Sequence, residues 1–409
     1  MSDFTQNMIA ERLGGKQFGK DTKIYKFEKI KRAKKAAMEK NPSVELIDMG
    51  VGEPDDKAPE AIINVLKQEV DKRENRFYSD NGIQEFKDVA ANYMNKRFGV
   101  NIDPQTEINH SIGSKPALAM IPFTLINPGE ISLMTVPGYP VTGSLTKYLG
   151  GDIYPLPLTK ENNFLPDLNN IPAEVKDKAK ILYLNYPNNP TGAIADEAFF
   201  ENVVKFAKDN NIAVVHDAAY IELTYDKKQP SFLSVDGAKD VGIEIHSLSK
   251  SYNMTGWRLA FVCGNETLVK AFATVKDNYD SGQFIPIQKA GAYALNHPEL
   301  IDITREKYKR RLSKLASVLK NMGFYVNEPK GTFYLYFEIP KGTKDGRTFD
   351  SAEEFCDFMI REKYISSVPW DDAGNFLRFS ATFEADTIEE ENRIIDEIQK
   401  RLAKENFVF

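Results

Sequence analysis

From Glu107 to Val262 the chain repeats one pattern: a short apolar run, a polar or glycine-containing turn, then a helical stretch. The runs are 108–112, 131–136, 153–158, 181–185, 212–216, 241–245 and 259–262. Runs this short, bounded by turn residues and separated by helices such as 196–210, predict the strands of a mainly parallel sheet with helices on both faces. In such sheets ligands lie beyond the carboxyl ends of the strands. Polar residues gather at those ends: Ser114, Tyr139, Asn189, Asp217, Ser247 and Lys250. Core polar residues scattered at random would show no such preference.

The densest of these ends is H-S-L-S-K-S-Y-N-M-T-G-W-R, His246 to Arg258, held between two apolar runs. A lysine there must either snorkel to water or do chemistry. Partly buried and near other cations, it loses its proton readily and becomes an amine nucleophile. Arg258 adds a fork of donors suited to a phosphate. An imine-forming amine beside an anion cradle is what a pyridoxal phosphate site needs; the competing reading is a solvated basic loop. Asp217, closing I-A-V-V-H-D, is the candidate for the acid facing a pyridine nitrogen, and buried it would need a cation. Tyr220 and Asn189 can reach a ring oxygen, and Tyr139 can stack on a ring face. His216 points to the opposite side of its strand, where packing or a hydrogen bond is the expected role. Gly113-Ser114-Lys115-Pro116 predicts a helix start with Ser114 as cap and free N–H groups for an anion.

Composition narrows the alternatives. At 409 residues, 42% hydrophobic and 27% charged, the chain reads as a soluble globular protein of two or three domains. A net charge of −6 gives no footprint for nucleic acid, and the cluster Lys29 to Lys35 reads as a solvated helix face. Cys263 and Cys356 form neither a disulfide framework nor a metal spacing, which suits a reducing cytoplasm. The four histidines show no zinc pattern, so no metal is expected. No signal-peptide pattern opens the sequence, and the longest apolar run is too short to span a bilayer. A transcription regulator would need a DNA-binding segment, and a nicotinamide dehydrogenase a G-x-G-x-x-G after a strand; neither is found.

Residues 1–50 read as an arm that completes part of a smaller domain, 51–290 as a large domain, and 291–409 as a small C-terminal α+β domain. Gly50 and Gly52 allow close backbone approach. In the last part a helix over 302–322 carries a core stripe, and the strand at 375–381 carries Arg378.

S-x-S-K-x-x-x-x-x-G-x-R at 247–258, N-P-T-G at 189–192 and D-x-x-Y at 217–220 resemble, in order and spacing, the fold-type I pyridoxal phosphate aminotransferases. The resemblance covers essentially the whole chain. It implies that Lys250 carries the imine and shuttles a proton between Cα and the cofactor C4′. It implies that Ser247, Ser249, Arg258, Ser114 and Lys115 hold the phosphate, and that Arg378 pairs with the substrate α-carboxylate. The tyrosine matching Tyr78 reaches the neighbouring subunit's phosphate, which implies a homodimer with shared sites. The segments Tyr25 to Ile30, 46–54, 113–115, 137–141 and 331–342 are similar to the branch whose amino donor is LL-diaminopimelate and whose acceptor is 2-oxoglutarate. In that branch the residues matching Tyr25 and Gly52 touch substrate, with Lys115, Tyr139 and Asn189 beside them. D-S-G-Q-F at 280–284 departs from the asparagine of plant-type members, leaving Gln283 as the candidate substitute. The rivals within enzymes are an aspartate or aromatic aminotransferase and a C–S lyase of the same fold.

Overall fold

The computed structural model describes residues 4–20 and 26–409, with the side chains of Lys26 and Phe27 left aside. Tyr25 therefore lies outside the described residues. Seven strands form the main sheet: β1 Ile108–Ser111, β2 Ile131–Val136, β3 Asp152–Pro157, β4 Ala179–Asn185, β5 Ala213–Asp217, β6 Gly242–Ser247 and β7 Ala260–Gly264. Their order is β1-β7-β6-β5-β4-β2-β3. The pairs β6–β5, β5–β4, β4–β2 and β2–β3 are parallel, and β7 runs against both β1 and β6. The expected mainly parallel sheet is thus present, with one reversed strand that apolar periodicity cannot reveal.

Strand side chains alternate between two helical layers, as a pleat requires. Ile181, Tyr183, Val215, Ile243 and Val262 pack with Ala117, Ile121, Val269 and Phe272 on one face. Leu182, Leu184, Val214 and Phe261 pack with Ile62, Phe86, Phe200 and Val203 on the other. Burial on both faces explains the near-continuous apolar runs. Truncating a residue such as Leu182, fully buried here, to alanine removes about 2–5 kcal/mol.

A second core joins Ala33, Ile47 and Met49 to residues 308–402, and it takes in Ala219, Tyr220 and Leu223. Its sheet has β8 Tyr334–Glu338, β9 Val368–Trp370 and β10 Phe376–Ser380 in the order β9-β10-β8, all antiparallel. The helix Ile301–Asn321 buries Tyr308, Leu312, Leu315 and Leu319, the stripe its sequence predicts.

That helix also fixes the loop after Met49. Asp55 accepts from Lys307 Nζ (2.7 Å), Tyr308 OH (3.1 Å) and Arg311 Nη1 (3.1 Å). The Arg311 side chain is fully buried and donates to the carbonyls of Ala381 and Phe383. Removing one partner of such a buried ion pair costs about 3–5 kcal/mol. The loop 50–54 is thereby held where its carbonyls face Lys250 and Arg378.

Candidate active site

Strands β1, β5 and β6 end at one rim of the sheet, and reversed β7 begins there. Ser111 and Ser247 both stand opposite Ala260, and Asp217 stands opposite Asn185 and Ile245. The reversal matters chemically: it returns Arg258 to the rim that Ser247 has just left. Ser247 Oγ accepts from the Ser249 N–H at 3.2 Å, capping the one-turn helix Leu248–Ser251 that carries Lys250.

Lys250 Nζ donates to the Gly52 carbonyl at 2.7 Å and lies 5.9 Å from the Phe333 ring centroid. Burial pushes its pKa down to about 8; Glu53 opposes this, while Arg258 and Arg378 add to it. An amine with that value is neutral in about a tenth of molecules at pH 7, far more than an ordinary lysine, and so is more readily a nucleophile.

Arg258 sits in the left-handed region, φ 60° and ψ 53°. Its Nη1 donates to the Thr255 carbonyl at 2.7 Å and approaches Ser249 Oγ at 3.4 Å. The guanidinium lies against Gly113, where any Cβ would collide with it. Gly113, at φ 86°, is the cap of the helix Ser114–Leu125, with no side-chain cap hydrogen bond. This corrects the expectation for Ser114, which is the first helical residue and caps nothing. The result is a helix amino terminus, Ser114 and Lys115 in its first turn, facing an arginine fork across a glycine, which is the make-up of an anion cradle.

Asp217 is 5% exposed. Its carboxylate accepts from the Ala219 N–H (3.2 Å) and Tyr183 OH (3.3 Å), both long, and makes no ion pair among the described residues. Burial pushes its pKa up, with the Ala219 amide, His216, Tyr183 and His246 opposing. The cation that the sequence reading required is not supplied by the described residues. A protonated pyridine nitrogen is such a cation, and in this respect the residues fit pyridoxal phosphate.

Arg378, on β10, donates to Asn189 Oδ1 (2.9 Å) and the Gly50 carbonyl (3.1 Å), and its guanidinium lies 4.1 Å from the Tyr334 ring centroid. Its Nε is buried without a partner. A Cβ at Gly52 would come within 3.0 Å of Tyr334 OH, so the close approach there is real. Tyr220 OH meets Tyr334 OH at 3.0 Å. Tyr139 is half-buried just beyond β2 and packs on the Val215 layer. Tyr78 stands apart, 83% exposed on the loop before Asn81.

A second sequence reading changes. The Gln283 side chain is engaged inside its own chain, with His110 and with the carbonyls of Trp257 and Arg258, and so is not a free wall for substrate. The residues that sequence reasoning passed over are Tyr183 and Tyr334, each aligned with the site only by strand register, and Glu244. His216, turned away from Asp217, meets Glu244 at 2.8 Å, and His246 meets the same carboxylate at 2.6 Å.

The family model for aminotransferases of class I and II matches residues 44–393. The LL-diaminopimelate aminotransferase of Methanococcus maripaludis is 60% identical, with 100% of both chains covered. That of Methanocaldococcus jannaschii is 58% identical over 98% of each. Among solved structures, substrate-bound BacF from Bacillus subtilis superposes with a TM-score of 0.87 at 32% identity, covering 98% of both chains.

Proposed function

The chain belongs to the class I and II aminotransferases, and from that premise we propose that it transfers the amino group between LL-diaminopimelate and 2-oxoglutarate, a pyridoxal phosphate-dependent step that aminates tetrahydrodipicolinate in lysine biosynthesis. The substrate follows from full-length identity of 58–60% to relatives bearing that name. The chemistry follows from one observation: a lysine amine brought down to about 8 stands among a buried, unpaired aspartate and two arginines.

Bound pyridoxal phosphate supplies an electron sink for a carbanion at the substrate Cα. The remaining work is the chain's. Lys250 would take the proton from the substrate Cα and shuttle it toward the cofactor. Asp217 balances a protonated ring nitrogen. Arg258, Ser247, Ser249 and the helix start at Ser114 and Lys115 hold phosphate. Tyr220 and Asn189 address the ring oxygen, and Tyr139 its face. Arg378 receives the α-carboxylate, its fork set by its bonds to Asn189 and to the Gly50 carbonyl. Gly52 gives substrate room beside Lys115, Tyr139 and Asn189, and Tyr25 is the remaining substrate residue that the resemblance implies. Residues 51–290 serve as the cofactor domain, and 291–409 with 1–50 as the smaller one.

The working unit we propose is a homodimer with shared sites. Phe77 (59% exposed), Tyr78 (83%), Tyr279 (53%) and Phe284 (50%) are left exposed on the segments 77–80 and 279–284, which Ser79 to Gln283 and Asp80 to Ser281 bonds bring together, and exposed apolar side chains there suit an interface. From the second subunit, Tyr78 would reach phosphate. No helix among the described residues is long and apolar enough to cross a membrane. The acidic balance argues against nucleic acid, and the reaction belongs in the cytoplasm.

The test is an amino-donor screen of the purified protein. LL-diaminopimelate should exceed tyrosine, leucine and alanine in kcat/KM by about 10⁴-fold, since a site that hydrogen-bonds a polar group leaves its own groups unpaired with analogues lacking it. Lysine, lacking the second carboxylate, should also be poor. A higher kcat/KM for aspartate or an aromatic donor would overturn the substrate while leaving the chemistry in place.

A further inference from the structure

Gln283 is the hub of a knot that ties two distant pieces of the cofactor machinery together. Its Nε2 donates to the Trp257 and Arg258 carbonyls, both at 2.7 Å, and its Oε1 meets His110 Nε2 at 2.8 Å. Both amide protons are thus spent on the backbone of the phosphate arginine. Arg258 is left-handed, a conformation that costs a non-glycine residue energy and persists only where the surroundings over-determine it. Two consecutive carbonyls converging on one amide nitrogen are such a restraint.

The main chain of Gln283 faces the other way. Its N–H donates to Ser79 Oγ (3.1 Å) and its carbonyl accepts from Ser79 Oγ (2.8 Å) and Gln288 Nε2 (2.8 Å). Gln288 Nε2 also reaches Ser79 Oγ at 2.7 Å, and its Oε1 accepts from the Ile83 N–H at 2.8 Å. The buried Lys276 ammonium closes the knot on the Asp80 carbonyl (2.5 Å) and Asp280 (2.6 Å). The loop so fastened is the one that presents Tyr78, and Gly282 is packed so closely on Ser79 and Asp80 that a Cβ would not fit. A loop whose tip is solvent-exposed has no need of so dense an anchor unless the tip must be aimed.

We propose that Gln283 is a positioning residue for two sites at once: its side-chain bonds to the Trp257 and Arg258 carbonyls and to His110 set Arg258 in its own subunit and pin the main chain at 283, which through Ser79 aims Tyr78 at the partner's cofactor phosphate. The second half rests on the shared-site dimer proposed above. Loss of Gln283 is then felt in both subunits, whereas loss of Ser79 is felt only in the partner.

Heterodimers with one Lys250→Ala chain isolate a single lysine-linked cofactor, whose visible band reports binding. The measurement is the cofactor dissociation constant on reconstituting the apo dimer. Adding Gln283→Ala to the Lys250→Ala chain should weaken binding at the unmutated chain's lysine by about tenfold, the loss of one charge-assisted hydrogen bond. Ser79→Ala in the same place should do likewise. Moved to the lysine-bearing chain, Gln283→Ala should still weaken binding by disturbing Arg258, and Ser79→Ala should not. Gln283→Glu, isosteric but without the two donors, should behave as Gln283→Ala does on the lysine-bearing chain, and the melting of the apo dimers shows that they remain folded. An unchanged constant with Gln283→Ala in the lysine-less chain, while Tyr78→Phe there is harmful, overturns the inference. If Tyr78→Phe is itself harmless there, the shared-site reading fails instead.

Discussion

Asp217 and Glu244 are buried carboxylates on neighbouring strands, β5 and β6, but they face opposite layers of the sheet. Glu244 accepts from four donors: His216 Nδ1 (2.8 Å), His246 Nε2 (2.6 Å), Ser231 Oγ (2.7 Å) and the Phe232 N–H (2.7 Å). A carboxylate only accepts, so both imidazole nitrogens turned to it carry protons. Asp217 has two long bonds from neutral groups. Burial raises both acids, but around Glu244 the two histidines outweigh it and hold the group well below the usual range. Around Asp217 burial wins. The acid whose needs are met inside the chain serves structure. The one left short has need of a cation that the described residues do not supply.

Exchanging each acid for its amide should separate these roles. Asp217→Asn should lower kcat by about 10³-fold, the scale of losing a buried electrostatic partner in the transition state. Its apo form should be as stable as the wild type or more so, because a buried charge without a counter-ion has been removed. Single-turnover rates and urea midpoints of the apo protein check the two halves. An unstable but active Asp217→Asn would erase the contrast.

Glu244→Gln should do the reverse. The amide turns an NH₂ toward groups that donate, and the lost stability should be about 3 kcal/mol. The kcat at saturating cofactor should change by less than about tenfold, since the group touches no reacting atom. A large loss of kcat with normal folding would make Glu244 part of the machinery.

The same pair predicts opposite pH signatures in the apo protein. For Glu244 the folded value lies below its ordinary 4.5, so its stabilisation is complete above that value and is lost as pH falls below it. The folded value of Asp217 lies above its ordinary 3.8, so its penalty grows as pH rises from there. The deficit of Glu244→Gln relative to wild type should therefore shrink on acidification below about pH 4.5, while the advantage of Asp217→Asn should shrink toward about pH 4. Urea unfolding at intervals from pH 3.5 to 7, on the order of six points, resolves the two slopes.

How much of this was legible beforehand follows from which interactions are local. The strand runs, the carboxyl-end clustering and Lys250 between Ser247 and Arg258 depend on short windows of sequence, and the fold places them at one rim. Alternation on a strand put His216 behind Asp217. The direction of β7 was not legible, because an apolar run looks the same in either sense. Ser114 was misread because a serine at a helix start is usually a cap, whereas the left-handed Gly113 moves the cap one residue back. Gln283 reads from sequence as a substitute for the plant-type asparagine because none of its partners is local: Ser79 and His110 lie more than a hundred residues away, and Trp257 and Arg258 lie 26 and 25 residues back. Glu244, in the middle of an apolar strand, was the one signal available and unused: a charge there demands partners.

The finest test of the contrast lies in Tyr183, the phenol that gives Asp217 its 3.3 Å bond. That length exceeds the usual O–H···O range, so the bond is weak. Tyr183→Phe leaves Asp217 with the Ala219 amide alone. The phenol lowers the pKa of Asp217, so its removal should raise it further and move the acid limb of the activity profile to higher pH. The loss in kcat/KM should be about fivefold, corresponding to ~1 kcal/mol for a neutral hydrogen bond. Stability should barely change, because the ring still fills its place in the Val215 layer. The matching change beside Glu244, Ser231→Ala, should cost about 1–2 kcal/mol of stability, since Ser231 also caps a turn through the Leu233 N–H. It should leave the pH profile where it was, because Glu244 keeps three donors and stays charged. If Ser231→Ala moves the acid limb and Tyr183→Phe does not, Asp217 is not the acid that the limb reports.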